Sequence, residues 1–256
     1  MNFKLGKNPP EADPHTLRMS SFVPETLPAP EEKRGWEYAV PDAVWAQSML
    51  GNDQVGNCVI AMLLHYIMLA EASAGRPVPQ FTTADGIALY SAITGYDPSQ
   101  TQPDGSNPTD QGTSMTAALA YMVSTGYKGY KFLAWAQFDF RNRLRLQQAI
   151  DLFGAALVGF TVTQEMMDAF NAKKPWNAPY GTNSLGGHGC PFPGFGSQGD
   201  TLITWAMRQQ TDPGFLPKMA DEAYVAITES WLNAAQETPL GIDLAALQAD
   251  MAALKA

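Results

Sequence analysis

The chain is predicted to be an α+β protein of two lobes, a helical lobe followed by a sheet lobe, and three observations carry that prediction. An unbroken apolar run over 57–74 (NCVIAMLLHYIMLAEASA) stops at Gly75 with Pro77 just beyond, the pattern of a buried helix. Further helix-length segments over 82–94, 114–124 and 142–153 each run into a glycine, at Gly95, Gly126 and Gly154. The last third changes character: short strand-like runs over 187–195, 201–205 and 224–227 are separated by Gly, Pro and Asp turns.

The first 35 residues hold six prolines, at 9, 10, 14, 24, 28 and 30, and no apolar period, so they read as an extended arm that wraps over the body or stays mobile. Trp36, Tyr38, Val40, Val44 and Trp45 then begin the packed domain, 36–256, with the boundary near Gly35. Asn57 is expected to cap the first long helix, which places Cys58 in its first turn, where the helix N-terminus favours a thiolate. Between 96 and 112 lies a long polar loop with three prolines, which either lines a cleft or is solvated. Met115, Ala118, Leu119 and Met122 share a face of the next helix, and Leu144, Ala149 and Ile150 belong to the one after it. Ala155 to Val162 reads as a buried strand. The helical lobe thus covers about 36–150 and the sheet lobe about 151–235. A C-terminal amphipathic helix, about 242–255, carries Leu244, Leu247, Met251 and Leu254 on one face, with Asp243 near its start.

Composition narrows the function. With 256 residues, 45% hydrophobic and 16% charged, the chain can bury a sizeable core. Sixteen Lys and Arg against twenty-five Asp and Glu give a net charge of −9, the wrong sign for tracking phosphates, so nucleic acid is not an expected partner. The most apolar stretch, Val59 to Ala70, is too short to span a bilayer, and the polar N-terminus has no stretch of signal-peptide length. Only two cysteines occur, Cys58 and Cys190; both are read as free thiols, although Cys190 can also be a thiol near the site, a disulfide partner of Cys58 or part of a metal set. No cofactor and no metal are expected.

Cys58, at the start of a buried helix and preceded by NDQVGN, and His188, in LGGHG, can be a nucleophile and its base, or a buried structural cysteine and a hydrogen-bonded core histidine. A thiolate site also needs donors for a developing oxyanion, and the amides of Asn52 and Gln54 lie just upstream. Asp53 is a carboxylate that can pair with His188 or serve the turn. His65, inside the helix, reads as a core histidine, and Trp205 and Trp231 as packing residues.

Here the sequence resembles the papain-like cysteine peptidases. Gln54, Gly56 and Cys58 occupy places comparable to that family's Gln and Gly-x-Cys. QGTSMTAALAYMVSTGY is similar to its Gly-rich turn and helix, LRLQQAIDLFGAALVGFTV to its helix and strand, and GGHGCPFPGFG to the strand bearing the catalytic His. The resemblance covers about residues 36 to 230 and implies a papain-like two-lobe fold, with Cys58 and His188 catalytic and a polypeptide substrate. Gln54 lies four residues before the cysteine and Asn52 six before it, the family's usual spacing, so either amide can hold the oxyanion. Where the family orients its His with an Asn, this chain has Ile203, Thr204, Trp205 and Ala206. Thr204 is then the orienting residue, a weaker acceptor. The departure leaves two implied functions: a cysteine peptidase of low activity that hydrolyses peptide or isopeptide bonds, or an inactive structural or binding protein on the same fold. The opening FKLGKNPPEADPHTLRM is similar to papain-like proteins of bacteriophages and prophages, which implies a virion or host-cytoplasm location and a structural protein as partner.

Overall fold

Helix starts follow side-chain chemistry. In a computed structural model of the chain, placement is described for residues 3–32, 35–46, 48–237 and 242–254. The first part of the chain contains β1 (Leu17–Arg18), the short helices α1 (Trp36–Ala39) and α2 (Asp42–Trp45), α3 (Cys58–Ser73), α4 (Thr83–Thr94), α5 (Met115–Ser124), β2 (Phe132–Gln137) and α6 (Arg143–Phe153). The rest contains β3 (Ala156–Thr163), α7 (Gln164–Asn171), β4 (Ser184–Phe192), β5 (Gly194–Gly196), β6 (Gly199–Thr204), β7 (Met207–Thr211), α8 (Phe215–Met219), β8 (Ala220–Thr228), α9 (Glu229–Glu237) and α10 (Leu244–Ala253). Thr82 and Asp85 form a reciprocal capping box on α4. Ser114, Asn142 and Asp243 each accept a backbone N–H at the starts of α5, α6 and α10. Gly95 closes α4 in the left-handed conformation, at φ +76.

The expected cap on α3 is absent. Asn57 turns its side chain inward, and its Nδ2 donates to Leu50 O at 2.9 Å, leaving no side-chain cap bond. That contact ties down a tight turn in which Leu50 has φ +56 and Gly51 φ +89. From Cys58 to Leu69 every residue of α3 is buried, as the all-round apolar run predicts.

Five strands form one sheet in the order β1-β2-β8-β3-β4, antiparallel except for the β1/β2 pair, and β5-β6-β7 form a separate antiparallel meander. The strand period of two divides the larger sheet's side chains between two cores. Leu157, Tyr224 and Ala226 join Cys58, Val59 and the rest of α3. Val158, Ala223 and Val225 join Cys190, Phe160, Trp176 and Trp205 on the other face. α10 docks Leu247 and Met251 on that second core.

Two boundaries differ from expectation. The run 187–195 is two strands, broken at Pro193, which has no N–H to give a ladder. β2 lies within the stretch read as helical. Its burial is near-continuous, so it lacks the alternation that marks a strand with one wet face. The proline-bearing segment also contributes β1 to the main sheet.

Candidate active site

The turn ahead of Cys58 is held by polar contacts from a distance. Asp110, from the 96–112 loop, accepts the Gly56 N–H with both carboxylate oxygens (3.0 and 3.1 Å) and the Tyr90 hydroxyl at 2.8 Å. The same hydroxyl accepts the Gly112 N–H at 2.7 Å. The end of the loop, Asp110 to Gly112, is therefore docked against the turn, while residues 98–106 are exposed. Gly86 of α4 approaches so closely that a Cβ there would lie 1.9 Å from Leu50 O. This frame fixes Cys58 as the first residue of α3.

His188 stands on β4 in a run of glycines. Its neighbour Gly189 faces α3, where a Cβ would already be 3.3 Å from Val59 Cγ2, so the small residue lets helix and strand close together. His188 Nε2 is hydrogen-bonded to Thr204 Oγ1 at 2.8 Å. Burial raises the pKa of the Cys190 thiol well above its ordinary value, and the Thr204 hydroxyl holds it down only in part. Trp205 stacks on the imidazole with centroids 4.6 Å apart and planes 23° from parallel, covering the Thr204 contact from solvent. Trp205 and Ala206 reach this place through a tight turn with φ +46 and +57. His188 Nδ1 is buried and has no hydrogen-bond partner. Burial holds the imidazole neutral, its pKa lowered to about 3.

The N-terminal arm crosses this site. Lys4 N–H donates to Asn52 O (3.0 Å), Gly6 N–H and Lys7 N–H to Gly187 O (3.2 and 3.1 Å), Thr113 N–H to Gly6 O (2.9 Å), and Asn8 N–H to Thr113 O (3.0 Å). Trp205 Nε1 donates to Lys4 O at 3.3 Å. Lys7 thus runs parallel to Thr113 and antiparallel to Gly187, bridging the two walls of the cleft. The crossing is back to back: a Cβ on Gly6 would fall 1.8 Å from Gly56 O, and one on Gly112 would fall 2.2 Å from Gly6 O. Beneath it Cys58 is 1% exposed. Burial pushes its thiol up to about 11, offset only in part by the N–H groups of Gly189, Gly6 and Val59 and by the Lys7 charge. The helix start alone does not yield a thiolate here.

Cys58 and His188 lie on packed elements, and His188 and Thr204 touch, but no hydrogen bond joins Cys58 to His188. Gln54 is exposed. Asn52 is buried, with its Nδ2 donating to Val55 O at 3.3 Å and its carbonyl taken by Lys4. Asp53 makes no contact with His188, whose hydrogen-bond partner is Thr204. Cys58 and Cys190 are both free thiols, not a disulfide, and no group of three potential ligands assembles among the described residues. His65 is a core histidine bonded to Ser48 O at 3.2 Å, and Trp231 stacks on Phe153.

Sequence reasoning missed Gly6, Lys7 and Asp110 as parts of the site. The available signals were the glycine in an otherwise proline-rich arm and a loop ending in Asp-Gln-Gly directly before a capped helix. No family model and no curated protein matches the sequence. Solved structures do match. Xylellain, a cysteine protease from Xylella fastidiosa, superposes with a TM-score of 0.61 at 12% identity, covering 89% of this chain and 98% of that one. Procathepsin L2 from the larval midgut of Tenebrio molitor gives 0.57 at 12% identity, covering 88% and 78%. Procathepsin B S9 from Trypanosoma congolense gives 0.52 at 12%, covering 88% and 86%. At such identities the likeness is one of fold, and the fold of this chain is that of the papain-like cysteine proteases.

Proposed function

We propose that the chain is a thiol-dependent peptidase whose cleft is closed by its own N-terminal arm. The observation that carries the reading is the ring of His188: Nε2 is engaged by Thr204, and Nδ1 is left free at the strand packed on the Cys58 helix. In the tautomer this reading requires, Thr204 Oγ1 accepts from Nε2–H, and the lone pair stays on Nδ1. That atom takes the Cys58 proton. The thiolate then adds to a peptide carbonyl, the C–N bond breaks, and the amine leaves with the proton from His188. Water next hydrolyses the thioester, releasing the acid and restoring the thiol. Backbone N–H groups around Cys58, with Asn52, are the proposed oxyanion donors. Gln54, exposed on the turn, is the alternative donor.

The arm has to leave before a substrate enters, and its departure readmits water and lowers the cost of charging the pair. The test uses the full chain with Cys190→Ser and Gly6→Ala, the second change forcing the arm off Gly56. Iodoacetamide should label Cys58 rapidly below pH 7, and His188→Ala in the same background should abolish that reactivity. Slow labelling that rises only near an ordinary thiol pKa, about 8.5, and ignores His188 rejects the peptidase reading. That result favours the second reading, a non-catalytic binding protein, which the filled cleft and the threonine at position 204 also support.

A further inference from the structure

We infer that the cavity where β1 and β2 end is a binding site for a small phosphate monoester, with the buried Arg145 at its base and Arg18 and Arg141 at its rim. It stands apart from the peptidase reading: β1 is the outer strand of the main sheet opposite β4, which carries His188.

Arg145 holds a buried charge with no close counterion. Among the described residues two Lys or Arg residues are buried, Lys7 at 5% exposed and Arg145 at 6%. Lys7 Nζ has two carboxylates, Asp221 at 3.0 Å and Glu222 at 2.9 Å. Even the partly buried Arg143 has the Asp200 carboxylate at 2.7 Å. The Arg145 guanidinium instead donates to uncharged oxygens, Gln148 Oε1 at 2.8 Å and the carbonyls of Pro24 and Val23 at 3.3 Å each. The acid within ion-pair reach, Glu25 Oε1, is 3.8 Å away on a side chain 86% exposed. The arm carbonyls account for the hydrogen bonds of Arg145 but not for its charge, and a buried charge left without a partner is strongly disfavoured.

That charge borders a cavity of about 310 Å³, room for a phosphate with a sugar-sized body. Two further guanidiniums line it. Arg141 lies over the Phe140 ring, 4.5 Å from its centroid, and among the described residues no ion pair engages the side chain of Arg141 or of Arg18. Asn142 commits Oδ1 to the Leu144 N–H at the start of α6, so its Nδ2 is the atom left for a ligand. Ser20 and Gln137 add polar groups for the hydroxyls of the body. Glu25 and Asp139 also border the cavity, both exposed, and Asp139 Oδ1 accepts the Arg141 N–H. Three cations against two acids leave a positive wall on a chain of net charge −9. A monoester close to doubly charged, with three acceptor oxygens, matches three guanidinium forks better than a singly charged carboxylate does.

The test is calorimetric titration of the full chain with ribose 5-phosphate, beside inorganic phosphate, ribose and acetate. Ribose 5-phosphate and phosphate should saturate one site, and ribose and acetate should bind about tenfold more weakly or not at all. Arg18→Gln and Arg141→Gln, both at exposed positions, should each weaken ribose 5-phosphate binding by about tenfold and leave the urea midpoint unchanged. Glu25→Gln should tighten binding without loss of stability, because that carboxylate competes with the ligand for Arg145. No saturable binding of either phosphate, or binding that ignores both arginine variants, overturns the proposal. Acetate or ribose binding as tightly as ribose 5-phosphate overturns the assignment to a phosphate monoester. A Glu25→Gln chain that is less stable and binds no more tightly identifies Glu25 as the counterion of Arg145 and refutes the site.

Discussion

Replacing Thr204 with valine keeps volume and branching and removes one hydroxyl. That hydroxyl is 2.8 Å from His188 Nε2, and Thr204 itself is 2% exposed. Water cannot take its place, because Trp205 lies over the imidazole. Since Nδ1 is already without a partner, Thr204→Val leaves a buried imidazole with no hydrogen bond at either nitrogen. Leaving one buried polar group unsatisfied costs about 1–3 kcal/mol. With a urea m-value near ~3 kcal/mol/M, a loss of ~2 kcal/mol moves the unfolding midpoint by roughly 0.7 M. The assay is urea denaturation of the full chain followed by tryptophan fluorescence. Thr204→Ser, which keeps the hydroxyl, should recover most of the loss. In the Gly6→Ala background Thr204→Val should also slow Cys58 labelling at neutral pH, because the ring loses the contact that fixes its tautomer. A valine variant as stable as the parent to within ~0.3 kcal/mol would falsify the claim that this contact is satisfied and shielded.

Two further predictions follow from burial and from the loop. Burial lowers the pKa of His65 to about 4, below its unfolded value near 6.5, so its neutral form supports folding above pH 6.5 and that support is lost as pH falls toward 4. Asp200 and Glu222, with raised values, act in the opposite sense, so the comparison is between variants. His65→Gln should shrink the loss of stability between pH 7 and pH 4.5 by on the order of 2–3 kcal/mol, and unchanged pH dependence would rule the assignment out. Asp110→Ala strips the acceptor from Gly56 N–H and from Tyr90, and should cost about 1–3 kcal/mol in the same urea assay, with Asp110→Asn in between. A change under ~0.5 kcal/mol would mean that the 96–112 loop does not hold the turn.

Much of the fold is written locally. Thr82, Ser114, Asn142 and Asp243 cap the helices they precede, and Gly95 ends one, because these residues act within a single turn of chain. Asn57 misled for the same reason: its local chemistry favours a cap, but the Leu50 carbonyl seven residues back competes for its amide. β2 was hidden because Phe132, Ala134, Trp135 and Ala136 are all buried and show no alternation. Position along the sequence pointed to Cys58, His188 and Thr204 as residues of interest, and the last two are in contact. The state of the thiol was not legible at all. It depends on Gly6 and Lys7 closing over the cleft, and Lys7 meets Asp221 across 214 positions of chain, a distance no local pattern spans.

The arm is tied to both sides of the cleft at once. Asn52 and Thr113 hold it on the side of α3 and α5, and Gly187, Trp205, Asp221 and Glu222 hold it on the side of the sheets. A strand bonded to two bodies behaves as a staple, and the free energy of each bond is shared by both. Cutting the chain beyond Asn8 would therefore do more than admit solvent. It would remove one tie between the two sides while leaving the core that α3 shares with the main sheet, so that amides in the turn before α3 and in β4 beside the arm should exchange faster within a single unfolding transition.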